Sequence, residues 1–116
     1  MKILHYKEIP PDPAGEDNAS EIAIRWLITE KDGAPNFSMR VIEVQPGGYS
    51  PFHNHPWEHE VFILHGEGTL LLHDKTTPIS EGDVIFVGPG EQHQFKNTSS
   101  GVLEFICLIP HPQPGQ

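Results

Sequence analysis

The chain has 116 residues, which is enough for one hydrophobic core but not for two, so we expect a single domain spanning residues 1–116. Its 16 acidic and 7 basic residues give a formal net charge of -9, which argues against nucleic acids and anionic membranes as partners. The single cysteine, Cys107, excludes an internal disulfide and favours a reducing compartment. No apolar run at the N-terminus or elsewhere has the length of a signal or membrane segment, so we expect a cytoplasmic protein.

Short segments separated by glycine and proline dominate the sequence, and no long stretch shows helical periodicity. The segments are rich in β-branched and aromatic residues, which is typical of strands. They cover residues 21–29, 37–44, 60–65, 69–73, 83–87, 92–96 and 102–109. This spacing predicts an all-β sandwich or barrel. Proline-rich residues 10–18 are predicted to form a loop, and residues 110–116 a flexible tail that cannot join a sheet ladder.

Three histidines lie within seven residues, and a fourth follows in a Gly-Pro-Gly-Glu-Gln-His turn; they are His53, His55, His59 and His93. In an extended chain His53 and His55 point to the same side, and a following turn can return His59 to that side. Imidazole is the commonest nitrogen ligand of first-row transition metals. The cluster therefore predicts a transition-metal site.

The spacing of these histidines relative to nearby glycines forms two motifs. The first contains Gly47, His53, His55, His59 and Gly66, and the second contains Gly82, Gly88, Gly90, His93 and Asn97. In these spacings the chain resembles the cupin superfamily, whose two motifs supply metal ligands from adjacent strands of a small barrel. The resemblance covers about residues 47–66 and 82–97, and it implies a jelly-roll β-barrel of two antiparallel sheets.

Two positions depart from the usual cupin motifs. Cupins usually have glutamate at the third ligand position, where the spacing here gives His59. Glu60 is the alternative, but a shift of one residue in a strand reverses the face on which a side chain lies. The second motif has Gly88 where proline is usual, and Pro89 next to it is expected to preserve the turn.

A narrower resemblance is to small single-domain cupins with a His-x-His-Pro-Trp-Glu-His-Glu signature and a late Cys-Leu-Ile-Pro strand, here residues 53–60 and 107–110. It implies a homodimer that binds Mn²⁺ through four histidines. Fe²⁺, Zn²⁺, Ni²⁺ and Cu²⁺ are alternatives, and zinc or copper usually binds such ligands more tightly in vitro. Four neutral ligands would leave an octahedral ion with its full charge and two open positions for substrate, water or O2.

No catalytic residue can be assigned from the sequence, but Arg40, Phe105 and Cys107 are candidates to line a pocket. Strand alternation predicts that Leu103, Phe105 and Cys107 face inward and Glu104 outward. Cys107 is then either a pocket residue or a small core residue. Arg40 either orients an anion at the cavity or faces solvent. The histidines outside the motifs, His5, His65, His73 and His111, are expected to be structural or exposed.

The alternating apolar residues of 22–28 are open to two interpretations. Ile22, Ile24, Trp26 and Ile28 share one face, which is either a dimer contact or the inward face of the barrel. We expect a homodimer, since symmetric dimers are also the commonest oligomers.

The first functional hypothesis is an oxidoreductase, such as a dioxygenase, that holds a small chelating organic substrate and O2 at the metal. The alternatives are a binding module without turnover and a non-redox isomerase or lyase that uses the metal as a Lewis acid. Fold alone does not distinguish them.

Overall fold

A computed structural model describes residues 1–13 and 19–111 and contains nine strands in this part of the chain. They are β1 (Asp12–Pro13), β2 (Ser20–Ile28), β3 (Phe37–Tyr49), β4 (His59–His65), β5 (Glu67–Leu72), β6 (Thr76–Ser80), β7 (Val84–Val87), β8 (His93–Lys96) and β9 (Leu103–Pro110). Two 3-10 turns, Tyr6–Glu8 and Glu30–Asp32, are the only helical elements among these residues. The all-β prediction is confirmed.

All strand pairs are antiparallel, and the strands curl into a half-barrel. The hydrogen-bonded order is β6-β5-β8-β3-β9-β4-β7, with β2 beside β3 and β1 beside β2. The long strand β3 connects the two parts of this path, because it pairs with β9 along most of its length and with β8 only through Tyr49 and Lys96. The two sheets expected of a jelly roll are therefore joined at the end of β3.

The core lies inside the curl, and β9 shows how the sequence pattern fills it. Leu103, Phe105, Cys107 and Ile109 are buried, whereas the residues between them are half-buried. The Phe105 ring stacks on the Phe95 ring of β8 with 4.4 Å between the ring centroids. Cys107 is 2% exposed, so the predicted inward face of this strand is confirmed.

Strand β3 extends past Val44, where the sequence analysis ended it. The pairing of β2 with β3 jumps from Ile22–Val44 to Ser20–Tyr49, so that residues 45–48 form an irregular bulge. A bulge accommodates proline and glycine because it interrupts the regular ladder. Strand β6 was not predicted, since its sequence Thr-Thr-Pro-Ile-Ser contains a proline.

The proline-rich ends of the chain differ in part from the predictions. Asp12 and Pro13 pair with Ile24 and Ala23 as the short strand β1, within the segment predicted as a loop. Pro110 pairs opposite Phe37 at the end of β9, so the ladder extends one residue into the predicted tail. Residues 10–11 lie outside the strands, as predicted, whereas His111 is held by its N–H, which donates to the Asn36 carbonyl. Residues 14–18 and 112–116 lie outside the described residues.

Strand β2 turns its apolar side inward. Ile22, Ile24 and Trp26 pack against the core, and Ile28 at the strand end is 37% exposed. The inward interpretation of this face is therefore correct for Ile22, Ile24 and Trp26. Homodimerisation itself stays a prediction. In the described residues, no helix combines the length and apolar character required to cross a membrane.

Candidate metal centre

A pair of backbone hydrogen bonds brings the two histidine motifs together. The His53 N–H donates to the His93 carbonyl at 3.2 Å, and the His93 N–H donates to the His53 carbonyl at 2.9 Å. His53 lies in the segment between β3 and β4, whereas His93 begins β8. The narrow pairing places the two imidazoles side by side, with their ring centroids 4.9 Å apart.

The rings of the four predicted histidines lie close together in the structure. The ring centroids of His53 and His55 are 4.2 Å apart, which confirms that they share a side. The ligand atoms of His53, His55 and His93 all lie within 4.8 Å of one another, and this group can hold a metal ion. The His59 ring is beside them, 4.8 Å from the His93 ring and 5.3 Å from the His55 ring. Its role as a fourth ligand stays a prediction.

The turn before β8 orients His93. Its Nδ1 lies 2.9 Å from the carbonyl oxygen of Glu91. A carbonyl only accepts, so Nδ1 carries the proton and Nε2 keeps a free lone pair. The Glu91 carboxylate accepts from the Gly88 N–H at 2.6 Å, and the Gly90 N–H donates to the His55 carbonyl at 2.6 Å. The turn thus holds ligand candidates of both motifs.

His59 is positioned by β9. It is 7% exposed, and its Nδ1 lies 3.4 Å from the Sγ of Cys107. The Nε2 of His59 is buried and has no hydrogen-bond partner in the described structure. Glu60, the alternative ligand, is exposed, as expected for the opposite face of β4. The geometry therefore favours His59 over Glu60.

Burial keeps these imidazoles neutral. It lowers the pKa of His59 from its ordinary 6.5 to about 3, with further contributions from the neighbouring His93 and Arg40. It lowers the pKa of His53 to about 4, again with smaller contributions from adjacent histidines. Burial also lowers the pKa values of His55 and His93. Neutral imidazole is the form that binds metals.

The residues present fit a transition-metal ion. Several neutral nitrogen donors converge, one of them is buried without a partner, and a backbone carbonyl fixes the tautomer of another. A buried polar atom without a partner is unfavourable, and a bound ion would satisfy it. Imidazole ligands suit Fe, Ni, Cu and Zn and do not select among them, whereas Mn more often takes oxygen ligands.

A cavity of about 90 Å³ opens beside the histidines. It is lined by Ile22, Ile24, Arg40, Ile42, Ser50, Pro51, His53, His55, His59, His93, Phe95, Phe105 and Cys107. One side is thus imidazole and the other is mostly apolar. Ligand pockets in proteins are usually several times larger, about 300 Å³ or more, so only a small molecule or one end of a larger molecule fits this shape.

All three pocket candidates from the sequence, Arg40, Phe105 and Cys107, line this cavity. The solvent-facing alternative for Arg40 is therefore wrong, because β3 directs it inward together with Ile42. Its Nη2 donates to the Cys107 sulfur at 3.0 Å, and its guanidinium lies 5.3 Å from the centre of the Trp26 ring. The chemical roles of the three residues stay predictions.

The histidines outside the motifs have other partners. His5 accepts from the Lys7 N–H at the first 3-10 turn, and His73 lies 3.2 Å from the Gln92 side chain. His65 is exposed, 4.0 Å from Glu81. His111 lies 2.8 Å from the Ser38 hydroxyl. None of the four lines the cavity, in agreement with the sequence analysis.

Several further residues shape the site, and sequence reasoning missed some of them. Trp57 stacks on His55, with ring centroids 4.4 Å apart and an interplanar angle of 8°. Phe95 lies two residues after His93 on β8, and this shared parity was the signal that could have identified it. Ile22 and Ile24 were recognised as one face, but nothing in the sequence linked that face to the histidines.

Comparison with known proteins agrees with this geometry. The family model for the Cupin domain matches residues 40–109. The structure of the polyketide cyclase RemF from Streptomyces resistomycificus is similar, with a TM-score of 0.93 and 34% identity over 98% of this chain and 82% of that chain. A Thermotoga maritima structure described as a predicted oxalate decarboxylase has a TM-score of 0.84 and 28% identity, covering 96% of this chain and all of that one.

Among curated proteins, the oxalate-binding protein of Thermotoga maritima is 39% identical over 69 residues. That alignment covers 59% of this chain and 57% of the relative, so it spans less than two thirds of the relative's length.

Proposed function

This chain belongs to the cupin domain family, and on that premise we propose that it binds a divalent transition metal through His53, His55, His59 and His93 and acts on a small oxygen-chelating substrate held at that metal. The observation that carries the proposal is the convergence of these imidazoles on one side of a cavity, with the Nε2 of His59 buried and without a hydrogen-bond partner.

Lewis-acid chemistry is the reaction type that the site supports best. A bound divalent ion would polarise a carbonyl or enol oxygen of the substrate. The chain contributes neutral imidazoles, which leave the ion its full charge, and an apolar wall that includes Phe95 and Phe105. The similarity to a protein named polyketide cyclase supports a substrate with β-dicarbonyl character.

An oxidoreductase, for example a dioxygenase that uses Mn²⁺ or Fe²⁺, is the second candidate. The observation that favours it is the apolar wall beside the imidazoles, formed by Ile24, Phe95 and Phe105, which suits O2 as a co-substrate. A third candidate is a binding module without turnover, which is favoured by the similarity to a protein named for oxalate binding.

Metal content tests the proposed ligand set. Protein expressed in metal-defined medium should contain about one divalent ion per chain, and His59→Ala should reduce the affinity by at least about tenfold because a ligand is lost. Glu60→Gln should leave the affinity unchanged, since Glu60 is exposed. His73→Ala is the matched histidine control outside the cavity. Equal metal affinity of wild type and His59→Ala would contradict the four-histidine site.

Product analysis distinguishes the three candidate functions. Zinc-loaded and manganese-loaded proteins are incubated with short β-diketones and poly-β-ketones while an oxygen electrode records O2. Cyclised or isomerised product without O2 consumption supports the Lewis-acid function, whereas stoichiometric O2 uptake supports the oxidoreductase. Saturable binding with neither product nor O2 uptake supports the binding module.

A further inference from the structure

We infer that Arg40 is an anion-recognition site, so that the cavity takes a chelating ligand with a negatively charged oxygen directed at this guanidinium. The inference rests on the proposed function, because it assumes that the other end of the ligand reaches the metal. Beyond the proposed function, it specifies that the ligand is negatively charged and that Arg40 recognises this charge.

The lining of the cavity carries an excess of positive charge. Of the described residues that line it, Arg40 is the cation, and no aspartate or glutamate is among them. A divalent ion would therefore add two positive charges next to an arginine that already lacks a carboxylate. An anionic ligand would balance this excess.

Arg40 and Arg25 lie on adjacent strands but differ in the charge of their partners. Arg25 has a carboxylate partner, with its Nε 3.0 Å from Glu43, and it also donates to the carbonyl of Ile9. Arg40 has only neutral partners in the described chain, namely the Cys107 sulfur and the Trp26 ring. Its Nε is buried and makes no hydrogen bond there.

Arg40 is half-buried and its Nε is enclosed, and a guanidinium withdrawn from water without a counter-charge is costly. The contacts of Arg40 fix its direction without neutralising it: the thiol holds one end of the guanidinium and the indole supports its face. Such a preorganised, unpaired fork suits the oxygens of a carboxylate or an enolate.

Arg40 also lies near the proposed metal ligand His59. The Cys107 sulfur is 3.0 Å from Arg40 Nη2 and 3.4 Å from His59 Nδ1, so these two nitrogens are separated by no more than the sum of the two distances. Arg40 also lines the same cavity as His53, His55, His59 and His93, so a compact ligand there can contact both this guanidinium and a metal held by the imidazoles. The cavity volume of about 90 Å³ agrees with a ligand, or ligand end, of a few heavy atoms.

The test uses metal-loaded full-length protein and three probes of nearly equal shape but different charge, namely oxalate, oxamate and oxamide. Affinities are measured by calorimetry for wild type, Arg40→Met, Arg40→Lys and the matched control Arg25→Met, after metal content has been verified in each. Arg40→Met should weaken oxalate binding by at least about tenfold. Oxamide binding should change by less than about twofold, and oxamate should show an intermediate effect.

Arg40→Lys, which keeps the charge, should retain part of the oxalate affinity, and Arg25→Met should retain all of it. Acetylacetone, which binds metals as an enolate, distinguishes the two sources of the anionic oxygen, since a selective loss of its affinity in Arg40→Met would identify an enolate. Equal losses for oxalate and oxamide, or none for either oxalate or acetylacetone, would overturn the inference. Absence of metal from the wild-type protein would instead overturn the proposed function.

Discussion

The Nδ1 atom of His59 lies 3.4 Å from the Sγ atom of Cys107, so a buried thiol stands where metal-binding histidines usually meet a carboxylate or a carbonyl. Burial raises the pKa of this thiol, although the neighbouring Arg40 opposes the shift. The neutral sulfur is a weak acceptor. Its contact with Nδ1 nevertheless restrains the His59 ring, whose Nε2 has no hydrogen-bond partner in the described part of the chain.

We expect replacement of Cys107 to weaken metal binding without removing a ligand. Cys107→Val replaces the thiol with a somewhat larger apolar side chain and removes the acceptor, so metal affinity should fall by about tenfold, the effect typical of outer partners of ligating histidines. Cys107→Ser retains an acceptor and should lose less. Competition with a chromophoric chelator measures both affinities. Equal affinities for the valine variant and wild type would show that the sulfur does not orient His59.

The metal-free protein should become less stable as the pH falls. The folded-state pKa of His59 is about 3, mainly through burial, whereas the unfolded value is near 6.5. Between these two pKa values the unfolded chain binds more protons than the folded chain does. The contribution of His59 to the free energy of unfolding is therefore complete above the unfolded pKa and decreases as the pH falls to the folded pKa. One such histidine contributes a slope of at most about 1.4 kcal/mol per pH unit.

Urea denaturation in the presence of a chelator, from about pH 7 down to about pH 5, measures this slope. His59→Gln should flatten it because the titrating group is removed. The exposed histidine variant His73→Gln serves as the control and should keep the wild-type slope. A slope that is unaffected by His59→Gln would show that His59 does not contribute to the acid sensitivity.

Two glycines with the same backbone conformation should respond differently to alanine. Gly66 has φ of +89° and Gly82 has φ of +91°, so both substitutions incur a similar left-handed strain. At Gly82 an added Cβ meets no atom within 4 Å, whereas at Gly66 it would overlap the carbonyl oxygen of Val102. Gly82→Ala should cost about 1–2 kcal/mol of unfolding free energy.

Gly66→Ala should cost at least about 2 kcal/mol more than Gly82→Ala, because the backbone of β9 must also move. Denaturant unfolding of both variants and wild type provides the comparison. If both variants lost the same stability, close packing of the β4–β5 turn against Val102 would be wrong.

Asn97, the last residue of the second motif, is expected to stabilise the fold without affecting metal affinity. It is 1% exposed, and its Nδ2 donates to the carbonyls of Val44 at 2.8 Å and Gly101 at 2.7 Å. Its Oδ1 accepts from the Ser99 N–H and hydroxyl. Asn97→Ala removes these hydrogen bonds, including the buried one to the Val44 carbonyl, and should cost about 2–3 kcal/mol.

Urea denaturation of Asn97→Ala against Asn36→Ala tests this role, because the Asn36 side chain is exposed and its loss should change stability by less than about 0.5 kcal/mol. Metal content of the refolded variant should match that of wild type. A lower metal affinity at unchanged stability would assign Asn97 to the site instead.

Local patterns predicted the elements that alternate strictly. Leu103, Phe105 and Cys107 were placed on the inward face of the last strand from parity alone, and the structure agrees. The same rule predicted that the side chains of His53 and His55 lie on one side. The alternation of side chains was predictable because one face of each strand is buried. A shift of register by one residue would move the apolar side chains to the other face.

Features that depend on distant neighbours were not predictable in the same way. The bulge at residues 45–48 arises from a change of pairing partner, which no local pattern records. The inward direction of Arg40 contradicts the usual preference of arginine for solvent. Its place is explained only by Cys107 and Trp26, which come from two other strands.

The two backbone hydrogen bonds between His53 and His93 join residues on either side of β4 to β7. In the unfolded chain the three histidines of the first motif remain neighbours and can share an ion, but His93 reaches them only when this pairing forms. Metal added during refolding would therefore be captured first by a three-nitrogen peptide segment and tightened later by barrel closure. Binding to the unfolded chain also means that metal raises stability by less than its native affinity alone implies.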